Sequence, residues 1–171
     1  TWSAGQKEFM PLLMAIYCLT GPPIKTINRE QYEYVIIEEP EMGLHPKAIQ
    51  SVIIQILEFI NSGYKVIVST HSAVMLEFAW AYNNIQNLPV EIRPTALGEL
   101  FDISSNSGAI NRIFEGVTDM KTKTYYFSHR GNGVKTFDIS SLDVASDNMD
   151  ESEWGGLSQF ASRASDIVSK Y

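Results

Sequence analysis

Two short segments carry the side chains best suited to chemistry. Glu38-Glu39-Pro40-Glu41 follows the apolar run Val35-Ile36-Ile37, and Ser69-Thr70-His71-Ser72 follows Val66-Ile67-Val68. Adjacent carboxylates straight after apolar residues are costly to bury unless a cation pairs with them. A magnesium ion (Mg2+) is the natural partner of a carboxylate in a phosphate site. A histidine at a neighbouring strand end can donate to a phosphate oxygen or hold a water. Taken singly, Glu38-Glu39 reads as a surface pair and His71-Ser72 as a helix cap. Their joint order, with Gly43-Leu44-His45-Pro46 between them, points to phosphate chemistry.

The elements around these segments are legible from periodicity. Ser3 and Gln6 form a capping box for a helix running to about Leu19. Thr20-Gly21-Pro22-Pro23 stops it, and Pro11 predicts a kink inside it. Tyr32 to Ile37 reads as a strand buried on both faces. His45-Pro46 opens a second helix, whose buried stripe is Ile49, Ile53, Ile56 and Ile60 and whose end is Ser62-Gly63. Val66 to Val68 is a second buried strand, and a third helix spans about Ala73 to Asn83. Strands separated by helices of this length imply right-handed crossovers and a parallel sheet. In such sheets ligands gather at the carboxyl ends of the strands, which here are the two chemical segments.

Composition bounds the alternatives. The chain has 171 residues, 44% of them hydrophobic and 19% charged, as in a folded globular protein. A single cysteine, Cys18, excludes an internal disulfide framework and a multi-cysteine zinc site. No apolar run approaches the roughly 18 residues of a membrane span, and no signal peptide is evident, so the expectation is a cytoplasmic protein without a membrane partner. A net charge of −7 does not favour a generic nucleic-acid patch. Six carboxylates lie between Asp138 and Glu153 with no Lys or Arg, which reads as a solvated loop. Beyond about residue 98 the chain is polar and turn-rich. A hairpin joins Tyr125-Tyr126-Phe127 to Thr136-Phe137-Asp138-Ile139, and a terminal helix from about Leu157 to Ser169 is expected to pack through Trp154 and Phe160.

Four motifs in order resemble those of the ABC-type ATPases, in the soluble branch near SMC, RecF and overcoming-lysogenization-defect (OLD-like) proteins, within the wider AAA family. Trp2-Ser3-Ala4-Gly5-Gln6 resembles the signature motif, and Tyr34 to Glu39 resembles Walker B. Met42-Gly43-Leu44-His45 stands in the D-loop position, and Ser69-Thr70-His71 resembles the H-loop. The resemblance covers roughly residues 1 to 85. It implies a P-loop NTPase three-layer α/β fold with parallel core strands, the C-terminal lobe being residues 1–97 and a C-terminal extension being residues 98–171. It also implies ATP and magnesium as cofactors. Glu38 would hold the metal through water, and Glu39 would orient or deprotonate the attacking water. His71 would contact the γ-phosphate. Ser3, Ala4, Gly5 and Gln6, at a helix start, would face ATP on a partner head. His45 stands where the family's D-loop aspartate stands, Glu38 replaces the usual Walker B aspartate, and Ala4 replaces the first signature glycine.

No Gly-x-x-x-x-Gly-Lys-Ser/Thr cradle occurs in these residues. Gly131-Asn132-Gly133-Val134-Lys135-Thr136 has the wrong spacing and reads as a hairpin turn. In the family that cradle precedes the signature, so the expectation is the C-terminal part of a longer ATPase, inactive on its own. No strand ending in Glu-Gly with a later Asp-x-Asp, the mark of an appended Toprim nuclease, is read here. The expected partners are a second ATPase head in a homodimer and an effector nuclease or toxin; DNA is left open by the family but not indicated by this charge. The expected setting is DNA repair or anti-phage defence. The alternative is a nucleotide-gated clamp or scaffold with little hydrolysis.

Overall fold

Pro46 sets φ for the first turn of a helix and gives up an amide that would have no partner there. Just before it, His45 caps that turn, its Nδ1 accepting from the Lys47 amide at 3.2 Å. The helix that follows, α2 (Pro46–Asn61), buries Ile49, Val52, Ile53, Ile56, Leu57 and Phe59. The expected stripe is present, although Ile60 is only half-buried. Ser62 closes the helix, and Gly63 at φ 93° turns the chain back. The computed structural model describes residues 4–21, 29–103 and 108–170. Pro22 and Pro23, and the Ser3 half of the capping box, lie outside the described residues.

On either side of α2 run β1 (Tyr34–Glu38) and β2 (Lys65–Ser69), paired parallel with Tyr34 opposite Lys65 and Glu38 opposite Ser69. α1 (Ala4–Thr20) precedes them and continues through Pro11; Phe9 and Leu12 pack on the core around α2. α3 (Ala73–Ile85) follows β2. The parallel α/β alternation agrees with the expectation from sequence.

The strands are not buried on both faces among the described residues. Ile37, Val66 and Val68 pack on the α2 cluster, whereas Tyr34 and Ile67 are each 53% exposed and Ile36 is 68% exposed. Adjacent residues of a strand point to opposite faces, and only one face here has helices against it. The third layer of the expected architecture is therefore not present among the described residues.

The main core extends past residue 97. In α4 (Arg93–Leu100) and α5 (Gly108–Gly116), Leu97 and Phe114 are fully buried, and Phe101 stacks on Phe114 with ring centroids 5.7 Å apart. Arg93 ties this region together. Its guanidinium donates to the carbonyls of Gln86, Leu88 and Thr118 and to Asp119 at 2.7 Å. Glu115-Gly116 closes α5 and ends no strand.

A smaller cluster of Leu76, Ile139, Leu142 and Trp154 joins α3 to the hairpin of β3 (Tyr125–Arg130) and β4 (Gly133–Asp138). The hairpin loop is Gly131-Asn132, with Gly131 at φ 65°, which disposes of the phosphate-cradle reading of that stretch. The acidic stretch is ordered by its own hydrogen bonds. Asp138 accepts from the hydroxyl and amide of Ser140, which holds its carboxyl below the usual range, and Asn148 caps α6 (Met149–Ser152). Trp154 does not pack the terminal helix as expected. It is buried in the small cluster, with its indole N–H donating to the Leu142 carbonyl at 3.1 Å. Phe160, on α7 (Gln159–Lys170), is 79% exposed, because α7 buries no residue.

Truncating Leu57 to Ala should cost about 2–5 kcal/mol in a urea denaturation series, since the side chain is fully buried at the centre of the main core. Tyr82 gives a pH signature. Burial pushes its phenol up from 10.0 to about 12, while its hydroxyl donates to the Val117 carbonyl at 2.5 Å. The folded chain keeps that proton after the unfolded chain has lost it. Its contribution to stability is thus full below pH 10.0 and declines as pH rises toward about 12. Stability curves of the wild type and Tyr82→Phe should converge over that window.

Candidate active site at the strand ends

Because β1 and β2 end level, the residues after them leave the sheet side by side. The ladder continues one residue further: the Glu39 amide donates to the Ser69 carbonyl at 2.9 Å. The chain then reverses sharply. Glu39 sits at φ 43°, a left-handed conformation uncommon for a residue with a side chain. The Met42 amide donates to the Glu39 carbonyl, and the Leu44 amide to the Glu41 carbonyl, both at 3.0 Å, with Gly43 at φ 70°. This turn delivers His45 to the start of α2.

The reversal aims the Glu39 carboxylate at the other strand end. Its Oε1 lies 3.2 Å from His71 Nε2, on a side chain that is itself 82% exposed. Glu38 lies on the open face of the sheet with Ile36, Ile67 and Ser69. Glu38, Glu39, Met42 and Ser69 line an open cleft of about 460 Å³. A comparable cleft lies before the strands, lined by Tyr32 and Tyr64 among others. Ligands of parallel sheets collect at the carboxyl ends, so the first cleft is the candidate site.

Three of the residues expected to do chemistry, Glu38, Glu39 and His71, are brought together. His45 stands at the far side of the turn with its Nδ1 occupied by the α2 cap, which leaves the ring proton on Nε2. Ala4, Gly5 and Gln6 form the first turn of α1, as a helix-start motif requires, while Ser3 lies outside the described residues. The cleft offers oxygen donors from two carboxylates and a hydroxyl. That set suits a magnesium ion, which binds through one or two carboxylates and keeps several waters. Among the described residues no cluster of three or more His, Cys, Asp or Glu could cage a metal by itself.

Glu41 has no role in the sequence reading, yet it carries the most directed hydrogen bonds of the site. Its Oε1 accepts from the Thr70 hydroxyl at 2.6 Å and from the His71 amide at 2.7 Å. The only signal in sequence was its place in Glu-Glu-Pro-Glu. No periodicity announces that a carboxylate will reach across to a segment about thirty residues away.

A family model described as "AAA domain, putative AbiEii toxin, Type IV TA system" matches residues 2–77. The chain is also similar to the Old nuclease of Escherichia phage P2, at 52% identity over 59 residues, which is 34% of this chain and 10% of that protein. The chain thus spans about a tenth of the length of that relative. No solved structure matches. No helix among the described residues is long and apolar enough to cross a membrane. The mixed α/β elements and their parallel strands are compatible with a P-loop NTPase fold. The motif order, the meeting of its strand ends and the two similarities support a likeness, over residues 2–77, to the AAA/OLD-like ATPases.

Proposed function

We propose that this chain is the signature-to-switch part of an ATPase that binds and hydrolyses magnesium-ATP between two heads and uses the cycle as a conformational switch. The observation that carries the reading is the 3.2 Å approach of Glu39 to His71 beside Glu38, at the carboxyl ends of adjacent parallel strands. Glu38 and the Ser69 hydroxyl are the residues that would hold the magnesium, which would neutralise phosphate charge. Glu39 accepts the proton of the attacking water as general base. His71 donates from its ring to a γ-phosphate oxygen, and that move frees Glu39 from the contact between them. On the other head's nucleotide, Ser3 and the amides at Gly5 serve as phosphate donors at a helix start.

The phosphate cradle is proposed to come from chain outside these 171 residues, and the exposed face carrying Tyr34, Ile36 and Ile67 suits the covering layer that would bring it. The isolated chain should then bind ATP poorly. The phage relative is named a nuclease, which supports a nuclease as the controlled effector and anti-phage defence or DNA repair as the setting. A clamp with little hydrolysis is the second reading. It is favoured by the engagement of Glu39 with His71, since a carboxylate held by a histidine is not available as a base.

Full-length protein should turn over ATP. Glu39→Gln should lower kcat by about 10²–10⁴-fold while keeping ATP-dependent dimerisation in light scattering. Unchanged turnover in that variant would remove Glu39 as the base, and tight binding with negligible wild-type hydrolysis would favour the clamp. A stability comparison probes the same residue. Glu39→Gly relieves the left-handed strain, so it should be more stable than Glu39→Gln by about 1 kcal/mol in chemical denaturation.

A further inference from the structure

We propose that Glu41 is a positioning residue for His71: its carboxylate fastens the β2–α3 turn to the β1–α2 turn and so sets the histidine beside Glu39. The proposal deepens the ATPase reading and rests on it for its catalytic consequence.

The hydrogen bonds define the device. Thr70 donates its hydroxyl to Glu41 Oε1 at 2.6 Å, and the His71 amide donates to the same oxygen at 2.7 Å. The Thr70 oxygen in turn accepts from the Ser72 amide at 3.0 Å, immediately before α3 begins. Three consecutive residues are therefore organised by one carboxylate oxygen. Bonds to an ionised acceptor are shorter and roughly twice as strong as neutral ones. The Glu41 end is equally fixed, by Pro40 before it and by the Leu44 amide on its carbonyl.

His71 needs such an anchor. Its side chain is 82% exposed, so packing does not fix the ring. What aims the imidazole is the backbone that carries it, and that backbone is tied by the Glu41 bond at residue 71 and by the ladder bond from Glu39 to Ser69. The other carboxylate oxygen supports the same reading. Glu41 Oε2 is buried and has no hydrogen-bond partner among the described residues, a costly state for a carboxyl oxygen. A side chain kept only to fill space there would carry no such penalty. The lone oxygen is the cost of presenting the other one to Thr70 and His71.

The test uses full-length protein with four variants. Glu41→Ala and Thr70→Val should each lower kcat by about tenfold or more, with KM for ATP and ATP-dependent dimerisation little changed. Thr70→Ser, which keeps the hydroxyl, should recover most of the rate lost in Thr70→Val. Glu41→Gln, which keeps one acceptor oxygen, should fall between wild type and Glu41→Ala. Amide hydrogen exchange at His71 supplies a second readout independent of turnover, and it should be faster in Glu41→Ala than in wild type. Wild-type kcat together with unchanged exchange in Glu41→Ala overturns the proposal. So does a rate loss that disappears once activity is expressed per folded molecule. If Glu41→Ala does not fold, the Thr70→Val and Thr70→Ser pair decides by the presence or absence of rescue. If wild type hydrolyses no ATP, the ATPase reading falls, and His71 exchange still decides whether Glu41 is the fastener.

Discussion

The parallel, in-register pairing of β1 with β2 is the constraint on which the rest of the site depends. Parallel strands cannot be joined by a tight turn; the connection must cross over the sheet. Here α2 is that connection, and its buried face of Val52, Ile53, Ile56 and Leu57 forms the middle of the main core. The pairing puts Glu38 opposite Ser69, so two segments about thirty residues apart in sequence become neighbours at one edge of the fold. Had the register slipped by one residue, every side chain on β2 would have changed faces. Val66 and Val68 would then have lost the α2 cluster, which penalises such a slip strongly. Hydrophobic burial beneath the strands thus sets the geometry of the polar groups at their ends.

The two clusters divide the work of holding α3. Its Met75 and Tyr82 belong to the main core, while Leu76 faces the hairpin and Trp154. α3 starts two residues after His71, with Ser72 as its N-cap, so both cores bear on the histidine's own segment. The polar stretch from 138 to 153 is therefore more than a solvated linker. Its hydrogen bonds shape the loop that presents Ile139, Leu142 and Trp154 to α3. Net charge collects there because the residues between the apolar anchors face solvent.

Much of this was legible in the sequence, and the reasons are specific. Pro46 after His45, the isoleucine stripe of α2 and the two β-branched runs are local signals, and local physics fixed the outcome. The error over strand burial has an equally definite cause. Four apolar residues in a row say that both faces of a strand avoid water, and they say nothing about which part of the protein covers each face. Tyr34, Ile36 and Ile67 keep that demand unmet among the described residues. Trp154 and Phe160 differ from the expectation because nearness to a helical pattern in sequence does not imply contact with that helix. The tryptophan's partner, the Leu142 carbonyl, is set by the turn after the hairpin. The Glu41 bonds to Thr70 and His71 are not legible in the sequence for a related reason: hydrogen bonds across a parallel strand end leave no trace in periodicity.

The turn between β1 and α2 concentrates features that a stable fold would otherwise avoid. Glu39 holds a left-handed backbone, and Glu41 buries an oxygen that has no donor among the described residues. Each costs on the order of 1–3 kcal/mol, and such states persist only where the surroundings over-determine them. The surroundings here do so: one end of the turn is locked by the β ladder, the other by the His45 cap and the first turn of a deeply buried helix. Relaxing Glu39 to an ordinary conformation would swing its carboxylate away from His71 and break the turn bond to Met42. Freeing Glu41 would release Thr70 and His71 together. The strain and the unpaired oxygen are thus tied to the same result, which is a carboxylate and an imidazole held face to face at a solvent-accessible edge. Structural economy does not account for that arrangement; under the proposed ATPase reading, it is a contact that an arriving phosphate would displace.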